Sequence, residues 1–184
     1  MVALAALIRP MITLKGKRLL RIRDHFREVG QPASVAFTHV KSDEDPFAAD
    51  ADAKRRFEAL FEAMFLMISA DGNIADEERE VLRGAVRGLT DHAVRTVYIE
   101  KLIEQCQGLA KQGVEERLRA VSPILNEDPA LVEAAFSLAA AVAFADSDVT
   151  DEENELINQL ADALGIDGDK AEELLNQLEA ESVD

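Results

Sequence analysis

An all-α fold follows from three features of the chain: about seven helices in two pseudo-symmetric helical repeats, preceded by a basic N-terminal extension. The first is composition. Hydrophobic residues make up 48% of the 184 positions, ample for a core, yet only 5% are aromatic and there is no Trp. Abundant Ala and Leu favour helices over sheets. The second is spacing. Phe57, Leu60, Phe61, Met64, Phe65 and Ile68 recur at helical intervals and mark one face of an amphipathic helix. The third is duplication. Residues 70–82 and 145–157 are two copies of one acidic helix–turn–helix phrase, at a constant offset of 75. Six of its 13 positions are identical and three more exchange one aliphatic residue for another. The register extends outward, since Phe57, Phe61, Leu66, Leu82, Val86 and Leu89 meet Val132, Phe136, Ala141, Ile157, Ala161 and Leu164. A gap-free repeat of this length points to a duplicated structural unit.

In chain order, residues 1–50 read as a basic segment and linker, and residues 51–184 as the helical domain, with repeats around 57–91 and 132–166. In residues 1–30, Lys15, Lys17, Arg18, Arg21, Arg23 and Arg27 interleave with Leu14, Leu19, Leu20, Ile22 and Phe26. Such a segment suits a helix packed on its own acidic domain, or a peripheral contact with anionic membrane or an acidic partner. Pro32, Pro46 and the run Asp43-Glu44-Asp45 mark the linker, with Asp45-Pro46 placed to cap and open the next helix. Only Ser34–Val40 hints at a strand.

The first domain helix ends near Asp71-Gly72, where glycine terminates it. A second starts near Asp76 and buries Val81, Leu82, Ala85, Val86 and Leu89. A third is expected from about Asp91 to Gln107, burying Val94, Val97, Leu102 and Ile103, with Cys106 on the same face as an inert small hydrophobe. Val114 to Leu125 is helical and broken by Pro123. Asp128-Pro129 pairs an N-cap with a first-turn proline and opens an apolar helix to Ala145. Thr150 opens the next, which closes at Gly165, and Asp167 or Asp169 starts a last helix carrying Leu174, Leu175 and Leu178.

Charge narrows the function classes. The formal net charge of −16 argues against nucleic acid as a partner. Residues 1–56 hold 11 Lys+Arg and 7 Asp+Glu, and the remainder holds 9 and 29, so the acid is concentrated in the domain. Self-repulsion there would be relieved by a bound cation. One cysteine permits no intramolecular disulfide. The apolar start Met1–Ile8 is cut short by Arg9-Pro10, making a poor signal peptide, and nothing reaches the roughly 18–20 apolar residues of a membrane span. The expectation is a cytoplasmic protein.

Asp71 and Asp146 are both expected at the C-terminal end of a helix, where the backbone dipole is already negative. Each either opens a turn by accepting backbone N–H groups or points at a cation. Glu78 and Glu153 follow seven residues later, in the first turn of the next helix. Glu153 fits a capping box with Thr150, whereas Ala75 cannot supply the matching side chain, so Glu78 suggests a role beyond capping. Asp76, Glu77, Asp151 and Glu152 read as solvated first-turn acids. If the halves pack about a pseudo-twofold axis, Asp71, Glu78, Asp146 and Glu153 converge as metal ligands, with Asn73 and Asp148 in reserve. Oxygen ligands without paired His or Cys select Ca²⁺, Mg²⁺ or Mn²⁺. An EF-hand is rejected: Met67 and Ser69, then Val142 and Phe144, would occupy the first two ligand positions.

Ala70-Asp71-Gly72-x-Ile74…Glu78…Leu82 and Ala145-Asp146…Val149…Glu153…Ile157, closed by Leu164-Gly165-Ile166, resemble the tellurite-resistance TerB family over residues 52–182. A more distant resemblance is to the N-terminal domain of the DjlA co-chaperones. The resemblance implies an all-helical domain of two related halves around an acidic metal-binding centre. By position, it assigns the ligands to Asp71, Glu78, Asp146 and Glu153. It also implies a tellurite or chemical stress response and complexes near the inner membrane. Ser147, in place of the second glycine, departs from the pattern.

Three functions compete: a divalent-metal-binding accessory or sensor domain, a metal-free acidic protein-interaction module, and a metal-dependent hydrolase. The last lacks a Glu-x-x-His pair, a glycine-rich phosphate loop and a Gly-x-Ser-x-Gly turn, and His25, His39 and His92 are scattered. The chain therefore reads as a non-enzyme.

Overall fold

A computed structural model describes residues 46–48, 50–69, 74–90, 93–143 and 151–180. Among them are seven helices: α1 (Ala51–Ile68), α2 (Asp76–Leu89), α3 (Thr96–Ala110), α4 (Val114–Leu125), α5 (Pro129–Ala143), α6 (Asp151–Leu164) and α7 (Gly168–Ala180). No strand occurs among the described residues, and Ser34–Val40 and the basic segment lie outside them.

The expected opening of α1 at Asp45-Pro46 is corrected. The helix begins at Ala51, and Asp50 caps it by accepting the Ala53 N–H at 2.9 Å. Pro46 belongs to a preceding turn that puts Phe47 against Phe57, with ring centroids 4.8 Å apart, and near Tyr98 at 5.9 Å. From Ala59 to Met67 every residue of α1 is buried. A helix covered on all sides is the centre of its bundle. In α5, Ala134, Ala135 and Phe136 are buried, as is every residue from Leu138 to Ala143. The two make the most extensive helix pair of the domain. Bulky Phe61, Met64 and Phe65 on α1 and small Ala135, Ala139 and Ala140 on α5 are all fully buried.

α2 closes at Leu89 and α6 at Leu164, 75 residues apart; α1 ends at Ile68, while α5 is described as far as Ala143 and α6 from Asp151. α1 also touches α6, and α5 touches α2.

Salt links set the direction of α4. Arg117 at its start bonds Glu62 of α1, and Glu127 just past its end bonds Arg55. Residue numbers fall along α1 as they rise along α4, so the two helices are antiparallel. Asn126 to Asp128 then join α4 to α5, and a connection this short turns the chain back. As expected, Asp128 caps α5, accepting the Ala130 N–H at 2.9 Å.

Two further expectations are corrected. Val97 is 65% exposed, not buried. The helix starts at Thr96 rather than Asp91, its inner face is Ile99, Leu102, Ile103 and Cys106, and a residue two places before Ile99 points away from that face. Val94 is buried, but in the connection before the helix. Pro123 does not break α4, which continues to Leu125. In the last turn the missing N–H costs one intrahelical bond, and the Asn126 N–H still reaches the Ser122 carbonyl at 2.8 Å. At the other end of the domain, Gly165 closes α6 with φ +68°, and the Ile166 N–H bonds the Ala161 carbonyl at 2.9 Å. Asp167 caps α7 through the Lys170 N–H at 2.8 Å.

Candidate functional site

The acidic phrases fall at the α1–α2 and α5–α6 joints. α1 closes at Ser69, whose N–H bonds the Phe65 carbonyl at 2.9 Å. Ser69 is 1% exposed, and its Oγ has no hydrogen-bond partner among the described residues. A buried hydroxyl left unpaired is uncommon. Chain position alone gives no signal for it, because serine at a helix end is unremarkable.

Of the four predicted ligands, Glu78 is fully described. It occupies the third position of α2, half-buried, and its Oε2 accepts the Ala75 N–H at 2.7 Å. The glutamate half of a capping box therefore forms without a serine or threonine opposite it. This revises the inference that Ala75 leaves Glu78 free of capping: the bond runs from the Ala75 backbone, which any residue but proline supplies. The carboxylate is folded back towards the preceding joint, with Oε1 left over. Glu153 holds the equivalent third position of α6; its side chain lies outside the description. Asp71 and Asp146 lie outside the described residues, as do Asn73, Asp148 and Thr150. Asp76, Glu77 and Asp151 are exposed, as expected of solvated first-turn acids. Among the described residues, no three His, Cys, Asp or Glu side chains group so as to hold a metal ion.

Around this region runs a network that sequence reasoning missed. Arg79 and Arg83 of α2 converge on Glu100 of α3, at 2.8 and 2.6 Å. Partial burial opposes ionisation of Glu100, but the hydrogen bonds from Arg83 and Arg79 outweigh it and hold its carboxyl below the ordinary value. Glu62 and Arg117 form a two-pronged pair at 2.6 and 3.0 Å, with side chains only 9% and 14% exposed. The bond to Glu62 raises the Arg117 guanidinium further. The available signal was Glu62 itself, a lone charge between Phe61 and Ala63 in an apolar run. Cys106 lies beside this pair. Burial, reinforced by the Glu62 charge, pushes its thiol far up, so it stays protonated and unreactive near neutral pH. Tyr98 donates to Glu58 at 3.2 Å on the neighbouring turn of α1.

No described helix is long and apolar enough to cross a membrane. No curated protein and no solved structure matches the chain. The family model described as tellurite resistance protein TerB matches residues 57–177, a span that takes in both acidic phrases and the helices between them. With all-helical architecture and that match over most of its length, the chain belongs to the TerB family.

Proposed function

We propose that this TerB-family domain binds a hard divalent cation, Ca²⁺, Mg²⁺ or Mn²⁺, through Asp71, Glu78, Asp146 and Glu153. It acts as a non-enzymatic accessory or sensor domain in tellurite or chemical stress response. The observation that carries this reading is the conformation of Glu78. Its carboxylate is turned back along the chain to accept the Ala75 N–H at 2.7 Å, rather than reaching forward along α2. Helix pairing supports a shared site. Arg55 near the start of α1 bonds Glu127 just before α5, so the two helices that lead into the acidic phrases begin side by side and pair extensively. Carboxylates brought together there would repel one another, and a cation would relieve that repulsion. Tellurite is an anion, and such a cluster would repel it, so the cation is the ligand and tellurite is not.

The test is thermal unfolding with and without each metal. At a hundredfold excess over Kd, binding to the native state adds about 2.7 kcal/mol. Asp71→Asn with Asp146→Asn should abolish the rise while melting no lower than the wild type without metal, since Asn relieves repulsion and still serves a turn. A melting temperature unmoved by all three metals at millimolar concentration would defeat the proposal.

A metal-free interaction role is favoured by one separate observation. Beyond Arg119 the chain carries a single cation, Lys170, against seventeen acids. In that reading the acidic surface recruits proteins of a stress-response or membrane-associated complex. Residues 1–30 touch anionic lipid from the cytoplasmic side of the inner membrane. Deleting residues 1–45 should then abolish co-sedimentation with anionic vesicles and leave the metal response intact; equal pelleting of both forms rules out the lipid contact.

A further inference from the structure

No further inference is drawn: the strongest candidate, the open acidic groove along α7 lined by Asp169, Glu172, Glu173, Asn176 and Gln177, is a run of polar and acidic side chains with nothing in the structure to show what covers it.

Discussion

Replacing Glu62 by Leu takes from the Arg117 guanidinium its charged partner at the α1–α4 contact and leaves it the Gln112 amide oxygen at 3.2 Å. Both side chains are nearly dry, 9% and 14% exposed, and they share two hydrogen bonds of 2.6 and 3.0 Å. Breaking a buried pair by removing one partner costs about 3–5 kcal/mol, because an uncompensated charge is left behind. The two halves of the pair are not equivalent. A stranded glutamate can take up a proton, whereas a stranded arginine cannot lose one. Arg117 also sits in the first turn of α4, where a cation is misplaced by roughly 0.3–1 kcal/mol. Glu62→Leu should therefore cost more than Arg117→Met. The double variant, which removes both charges and keeps apolar volume, should fall within about 1.5 kcal/mol of the wild type. Against a total stability of about 5–15 kcal/mol, the Glu62 loss is large enough to read directly. Urea unfolding of the four proteins, followed by helical circular dichroism, closes the double-mutant cycle. Single losses below about 1 kcal/mol, or a double variant costing the sum of the two, would overturn the claim that the pair is dry and coupled.

Glu100 gives a pH dependence of definite sign. Its folded pKa is depressed, so its contribution is present above the unfolded value of about 4.3 and fades as pH falls through the folded one. Glu100→Gln should destabilise the domain at neutral pH, and the difference from wild type should shrink towards zero below about pH 4, measured by urea unfolding across that range. Gly165→Ala forces a side chain into a backbone of φ +68°, and should cost about 1 kcal/mol in the same assay, with Gly165→Asn costing less. Glu78→Gln keeps an oxygen for the Ala75 N–H and should preserve metal-free stability while weakening the metal-induced rise in melting temperature. Glu78→Ala loses both, at a metal-free cost of about 1 kcal/mol if the bond is worth a typical cap.

The fold was legible wherever burial follows a regular period. Phe57 to Ile68, the α2 face at Leu82, Ala85 and Val86, and the Asp128-Pro129 opening of α5 all follow from spacing or from a cap that acts locally. Helix starts governed by distant contacts were less legible. Nothing in Asp45-Pro46 discloses that Phe47 must fold under Tyr98 and Phe57, which delays α1 to Ala51. Val97 departs from the rule that an apolar residue faces inward, because its phase relative to Ile99 places it outside. Of the candidate site, the place of Glu78 in the first turn of α2 was legible but its hydrogen bond was not, since a backbone donor carries no side-chain signature. The Glu62–Arg117 pair spans 55 positions and has no local pattern at all.

Capping and metal ligation are compatible duties for Glu78. A carboxylate has two oxygens, and one N–H occupies only Oε2. Fixing the side chain in this way removes rotamer freedom in advance, so less entropy would be lost if a cation bound, as proposed. The neighbouring helices add to that order: Arg79 and Arg83 hold α2 against α3 through Glu100, two residues' worth of charge on one carboxylate. Asp71 follows α1 in the sequence, and an aspartate at a helix C-terminus is opposed by the backbone dipole. On the proposed reading a bound cation would offset that repulsion, so Asp71→Asn should leave metal-free stability unchanged or raised and remove the metal-induced gain.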